Sequence, residues 1–357
     1  MPTLVPELKT ITIGGAVSGC SVESMSYRLG GFHDGCLAYE AVTGRGELLR
    51  CTKDSDPELF HRLHGSYGTL GLLTALTFSL VPAKPFVHLT YQRHPSFQSF
   101  LAAARARIAA ADYDFIDGII HGPNECILCL GRFVDHAPVT SDYSGAQIFY
   151  KSTREKSEDY LTTFDYLFRY DTECHWLTRT LPGLEVPLIR RLLGPYLLGS
   201  TNLLTWSQRL RPLLRWQQRP PVVVDVFIPD ARADEFLAWY QREFDFYPLW
   251  VVPYRVPAGG YPWLNPARSP GRGEGLYFDF AVYGKLEDRP GVWYSELLEQ
   301  KTRELGGIKT LISRNHYDEA TFWSIYDRPG YQAVKQRTDP DNLLRDLYQK
   351  FAPGARR

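Results

Sequence analysis

Apolar positions along the chain recur at two spacings, and the two alternate from one end to the other. Period-two alternation or short β-branched runs mark strands. LKTITIGGAVSG starts as a strand and enters a Gly-rich loop. CLAYEAVTGRGELLRCT reads as two strands around a tight turn at Thr43-Gly44-Arg45-Gly46. Thr69 to Leu80 is a long β-type run that stops at Val81-Pro82. Further strands are predicted at Phe115 to Ile120, Cys126 to Phe133, Val222 to Ile228, Pro248 to Tyr254 and Gly275 to Tyr283.

Helical spacing fills the intervals. Asp56 caps a short helix to His64, with Pro57 at its first position. Ser96 caps another running to Ala111. Helical stretches follow at Tyr150 to Tyr170, Asp230 to Phe244 and Val292 to Leu305. Asp318 caps a helix through Tyr326, and Asp341 one through Phe351. A small β-rich segment thus precedes a longer region of strands and helices. The fold class this predicts is α+β, with an antiparallel sheet covered by helices.

Composition narrows the function. Forty basic and forty acidic residues cancel, which argues against a nucleic-acid partner. Aromatics are 14% of the chain, which suits either a broad apolar cavity or an aromatic-rich core. The six cysteines include one close pair, Cys126 and Cys129, on a predicted strand whose alternation sends them to opposite faces. Core thiols in a reducing, cytoplasmic compartment are the reading, and no metal site is expected, including at His61 and His64. No apolar run is long enough to span a bilayer. Leu181 to Trp206 is apolar but broken by Arg190, Arg191, prolines and glycines. It reads as a lipid-facing surface, a cavity lid or internal packing, the last being preferred.

Two glycine-bearing segments carry candidate chemistry. In TIGGAVSGCSVES, Gly14, Gly15 and Gly19 allow close backbone approach to a ligand, and Ser18, Ser21 and Ser24 add hydroxyls. In GSYGTLGLLT, glycines again precede a strand. Either segment alone is also compatible with a tight structural turn. No GK[ST] follows and no GxGxxG is present, so neither is a Walker loop or a dinucleotide fingerprint.

Taken together, TIGGAVSG, the hairpin LAYEAVTGRGELLRCT and DPELFHRLHGSYGTLGLLTALTFSLVPA resemble the second half of the FAD-binding domain of the vanillyl-alcohol-oxidase/p-cresol-methylhydroxylase (PCMH) superfamily. PTLVPELKTITIGG, YPLWVVPYRVP, LYFDFAVYG and the segment around Trp323 extend the resemblance, in matching order, to its Δ24-sterol reductase branch. The resemblance implies that residues 1–84 are the second half of a PCMH-type FAD domain. Residues 85–357 would be an α+β cap whose C-terminal segment returns to the flavin. It implies cofactor contacts at Ile13, Gly14, Gly15, Ala16, Ser18, Gly19 and Ser21, then at Gly65, Gly68, Thr69 and Gly71, with Lys335 near a closing motif that includes Asp339. It also implies that an FAD subdomain is missing before Met1, through truncation or because another chain supplies it.

A flavin reductase of this kind needs a proton donor and a dry cavity. Asn315, His316 and Tyr317 are the catalytic candidates, with His316 as the acid; a loop histidine bonded to backbone is the alternative. Tyr277, Asp279 and Tyr283 alternate on one strand and face either a cavity or an ordinary sheet surface. His33 is a flavin-edge contact or a turn histidine. The implied chemistry is hydride transfer from NADPH through FAD to the alkene of an apolar, sterol-like small molecule, with peripheral membrane contact left open. The alternatives are a flavin oxidase or dehydrogenase of an alcohol or sugar lactone, and an inactive remnant.

Overall fold

The computed structural model describes residues 1–180, 183–210, 222–257, 260–265, 275–312 and 314–353. Near the N-terminus, β1 (Cys36–Val42) pairs with β2 (Leu48–Thr52) and β3 (Leu72–Phe78) in a three-stranded antiparallel sheet. The larger sheet holds β4 (Phe86–His94), β5 (Phe115–Gly122), β6 (Glu125–Val134), β7 (Glu158–Thr162), β8 (Val222–Pro229), β9 (Leu249–Arg255), β10 (Leu276–Lys285) and β11 (Ile308–Lys309). Its order is β11-β8-β10-β9-β5-β6-β4-β7, antiparallel throughout. The α+β class stands.

Strand alternation decides what each face meets. On β8, Val222, Val224, Val226 and Ile228 enter one core with Phe278, Phe280 and Val282 of β10. Helices Phe97–Ala110, Ala233–Glu243 and Tyr294–Glu304 cover that face through Phe100, Leu101, Phe236, Leu237 and Leu298. The fit is close: a Cβ on Gly118 would stand 2.5 Å from the Phe100 ring. Cys126 lies in this core and Cys129 in the core on the opposite face, as alternation requires. All six thiols are free.

A separate core joins the three-stranded sheet to the C-terminal helices Glu319–Trp323, Arg328–Thr338 and Leu347–Phe351, through Tyr39, Phe60, Leu63, Phe322, Tyr331 and Phe351. The C-terminal segment therefore returns to the N-terminal sheet.

Several local expectations are corrected. Ile13–Ser18 is a short helix capped by the Thr12 hydroxyl, not a strand running into a loop. None of Gly14, Gly15 and Gly19 takes a positive φ, whereas Gly65 (+63°) and Gly68 (+75°) do. The stretch from 150 to 170 is not one helix. It divides into helix Phe149–Ser152, strand β7 and helix Thr163–Leu167, because Glu158–Thr162 adds to the sheet edge against β4. The Asp318-capped helix ends at Trp323. The last helix is capped by Asp346 rather than Asp341, through a capping box with Gln349. Helix Arg328–Thr338, with Pro329 in its first turn, had no sequence expectation.

The Leu181–Trp206 stretch is internal only in part, at Arg190, Leu198 and Ser200. Its first two residues lie outside the described set, and the remainder forms helices Pro187–Leu197 and Ser200–Arg209. Leu188, Leu192 and Tyr196 are 66%, 63% and 72% exposed. Among the described residues no helix is long and apolar enough to cross a membrane.

Candidate active site

The short helix Ile13–Ser18 and the segment after it stand opposite the β8, β10 and β9 part of the second sheet face, whose remainder is covered by Tyr143, Phe149, Tyr166, Tyr170 and Trp176. Between them lies a cleft of about 510 Å³, within the size range of small-molecule sites. One wall is Ile11, Thr12, Gly15, Ser18, Gly19 and Ser21. The other wall is Val223, Asp225 and Phe227 of β8, Trp250 of β9, and Asp279 and Tyr283 of β10. His175 and Leu177 close one side, and Ile312 and Lys350 contribute at another.

An adjoining aromatic recess shares Gly19, Cys20, Tyr67, Phe227 and Thr310 with the cleft. It continues into Tyr254, Tyr261, Trp263, Leu264, Tyr277 and Tyr326. The two glycine segments meet here. The Tyr67 amide donates to the Ser18 carbonyl at 3.1 Å. Gly65 lines the recess.

The sheet wall carries an unusual pair of acids. Asp225 and Asp279 lie on neighbouring strands, where Ala281 pairs with Asp225 and Asp279 with Phe227. Their side chains therefore share one face, diagonally placed. Burial raises Asp225 to about 6, against hydrogen bonds that lower it. Burial raises Asp279 well above the usual carboxylate range, and the Asp225 charge raises it further. The Tyr283 hydroxyl donates to Asp225. The Asp279 side chain is buried, and its Oδ1 has no hydrogen-bond partner among the described residues. Two close carboxyls in a desolvated place cannot both ionise, so the pair retains a proton near neutrality.

At the edge of the cleft, where Glu7 and Glu23 join its lining, a buried cation organises more acids. Arg169 lies 2.8 Å from Glu7 and 3.0 Å from Asp117. Its guanidinium also sits 4.2 Å from the Tyr166 ring centre. Trp250 donates to Asp117 at 2.8 Å, which fixes the indole in the cleft wall. The Glu7 amide donates to Glu23 at 3.0 Å. Burial pushes Glu7 up to about 8 despite Arg169, and Glu23 well upward. Burial, then Arg169, lowers His175 to about 3, so its imidazole is neutral.

The sequence-predicted residues divide by position. Gly15, Ser18, Gly19, Ser21 and Gly65 line the two cavities. Tyr277 lines the recess, while Asp279 and Tyr283 line the cleft. Ile13 is half exposed beside them, Gly14 faces Leu73, and Ala16 is fully buried. Gly68, Thr69 and Gly71 are not among the cavity-lining residues. Thr69 instead bonds Tyr331, and its carbonyl accepts from Lys335 at 2.9 Å. The Lys335 ammonium is further held by Asp339 at 2.6 Å and by the Leu344 carbonyl.

Asn315, His316 and Tyr317 also lie off both cavities. His316 Nε2 is 2.9 Å from the Ser295 hydroxyl, and its amide donates to Glu299. The Tyr317 hydroxyl donates to the Glu299 carbonyl. His33 is fully buried, with its ring 5.0 Å from those of His64 and Tyr261. Among the described residues no cluster could hold a metal ion.

The residues sequence reasoning passed over are Asp225, Trp250, His175 and the Arg169 network. Their signal was readable: VVVDVFIP, LYFDFAVY and FIDGII each hold one aspartate inside an apolar strand. All three aspartates face away from the covering helices.

No family model matches the chain. Among curated proteins, it is 26% identical to a Delta(24)-sterol reductase of Homo sapiens over 370 residues, covering 99% of this chain and 70% of that protein. It is 25% identical to a Delta(24)-sterol reductase of Arabidopsis thaliana over 392 residues, covering 98% and 69%. A shorter likeness, 28% over 123 residues, covers 33% of the chain and 23% of a cytokinin dehydrogenase 6 of Oryza sativa subsp. japonica.

Proposed function

We propose that the chain is an FAD-dependent oxidoreductase of the Delta(24)-sterol-reductase kind, acting on a CH–CH group of an apolar, sterol-like small molecule. The observation that carries this is the cleft itself: a side-chain-poor wall from Thr12 to Ser21 facing a wall of aromatic rings that holds the acid pair Asp225 and Asp279. The likeness to Delta(24)-sterol reductases over nearly the whole chain supports the same reading.

The residues fit a flavin ring. With no side chain at Gly15 and Gly19 and only hydroxymethyl groups at Ser18 and Ser21, that wall can be approached closely. In this reading residues 1–84 are the second half of a PCMH-type FAD domain and 85–357 the cap. Gly15, Ser18, Gly19, Ser21 and Tyr67 would hold the ring. FAD supplies hydride chemistry when bound, and NADPH is the reductant. The compartment is cytoplasmic.

The chain's own groups do the rest. Tyr254, Tyr261, Trp263, Leu264 and Tyr326 line a recess of about 70 Å³, room for a short apolar end of the substrate and not its body, and their rings exclude water there. Asp279 holds a proton on a carboxyl with one unpartnered oxygen in the cleft wall. That proton is available to one alkene carbon while hydride goes to the other. The Asp279 carboxylate so formed is disfavoured beside Asp225 and takes its proton back from solvent in the cleft.

The test is direct. FAD is added to the purified chain, and retention is read after gel filtration from the visible flavin spectrum. Anaerobic bleaching by NADPH and uptake of two hydrogens by a sterol-like alkene are expected. Peroxide release on adding an alcohol would favour an oxidase, and failure to retain FAD would favour a non-catalytic remnant.

A further inference from the structure

The helical hairpin after the cleft is built inside out. In helix Pro187–Leu197 the residue turned into the protein is a charge: Arg190 is 1% exposed. It pairs with Glu173 and donates to the carbonyls of Gly145 at 3.1 Å and Gln147 at 3.2 Å. Those bonds fix the helix rotation and leave Leu188, Leu192 and Tyr196, at i, i+4 and i+8, facing outward. The following helix adds Leu204 and Trp206 to the exposed surface. Surface helices ordinarily turn such a stripe inward.

Charge identifies what covers this face. From Val186 to Leu210 there is no aspartate or glutamate, while Arg191 and Arg209 are exposed. Helices of 11 and 10 residues are too short to span a bilayer but suit its interface, where apolar side chains enter the acyl boundary and arginines meet lipid phosphates. The Trp206 indole, tied to the Tyr196 carbonyl at 3.0 Å, adds an aromatic of the type enriched at that depth. We propose that the Val186–Leu210 hairpin docks this chain on the surface of an anionic lipid bilayer.

The location gives the docking a use. Ser200 accepts from the Thr10 amide at 3.2 Å and donates to Asp171 at 2.6 Å, and Asp171 also accepts from the Lys9 amide. The foot of the hairpin is thereby tied to the residues just before Ile11 and Thr12 of the cleft wall. A lipid-dissolved substrate could then enter from the bilayer. This last step rests on the proposed function, whereas the docking itself does not.

The experiment is vesicle flotation of the purified chain, with no cofactor added. Binding to phosphatidylcholine vesicles containing phosphatidylserine is expected to exceed binding to phosphatidylcholine alone by roughly tenfold and to fall in high salt. The variant L188S/L192S/Y196S changes only exposed side chains, and its circular dichroism is expected to match the parent. Its vesicle binding should fall by roughly a hundredfold. R191Q/R209Q should remove the preference for anionic lipid. The proposal is overturned if the parent chain floats with neither vesicle or if the triple variant floats as well as the parent. A concentration-dependent dimer abolished by the triple variant would also overturn it, since a second copy would then be the occupant.

Discussion

Asp225→Asn should make the protein more stable near neutral pH, and the gain should vanish in acid. Burial raises this carboxyl from 3.8 to about 6 in the folded protein. An acid whose proton is held more tightly in the fold opposes folding once the unfolded chain ionises. The penalty is absent below about pH 4, grows as pH rises, and is complete above about pH 6. At ~1.4 kcal/mol for each tenfold change in proton affinity, the shift sets a ceiling of about 3 kcal/mol. Asp225 opens onto the cleft, so water screening brings the realised figure to ~1–2 kcal/mol. Asparagine keeps an oxygen to accept from Tyr283 and removes the charge. It also removes the carboxylate that raises Asp279, whose proton affinity should fall. The assay is urea unfolding of parent and variant, followed by tryptophan fluorescence at intervals from about pH 4 to about pH 8. A variant less stable than the parent near neutrality, or a difference that does not change with pH, would refute the reasoning.

Three further outcomes follow from the same geometry. Arg169→Met leaves Glu7 and Asp117 buried without their cation, and should lower unfolding free energy by ~3–5 kcal/mol in urea titration. Gly65→Ala has room for its Cβ, 3.6 Å from Cys20 Sγ and Trp263, but sits at φ +63°; strain alone should cost ~1–2 kcal/mol, readable as a lower urea midpoint. Asp279→Asn should retain flavin while alkene reduction slows by ~10²–10⁴-fold, with the flavin spectrum and single-turnover rates as separate readouts.

Much of the fold was legible because strand alternation and helix caps are local signals. Asp56 and Ser96 cap the helices they were expected to cap. The strands at 115–122, 125–134, 222–229, 249–255 and 276–285 fall on the apolar runs that predict them. The failures are tertiary. Glu158–Thr162 looks helical in its setting, yet becomes a strand because β4 offers an unpaired edge. Ile13–Ser18 looks like a loop because of its glycines, yet Thr12 caps a turn of helix there. For the site, the glycine segments were visible and do adjoin a cleft. The opposite wall was visible only as single aspartates inside apolar strands. No local rule says where the cover over a sheet face leaves an opening, and that opening converts Asp225 and Asp279 from sheet residues into cleft residues.

Among the described residues two buried arginines break the ordinary partition of charge outward and apolar inward, and each is locally compensated. Arg190 is buried with Glu173 and two carbonyls so that leucines can face out. Arg169 is buried with Glu7 and Asp117, which anchors Trp250 and lets the N-terminal segment lie against the sheet. The Asp225–Asp279 pair has no such cation. Hydrogen bonds from Tyr283 and Thr310 relieve Asp225 in part, and the proton that the pair keeps does the rest. A fold selected for stability alone would replace these acids with valine or phenylalanine, as the neighbouring strand positions already do. Their presence in the cleft wall is what the proton-donating role proposed for them requires. The same logic separates them from His316, Tyr317 and Lys335, whose polar atoms are met by Ser295, Glu299, Thr69 and Asp339 within the fold.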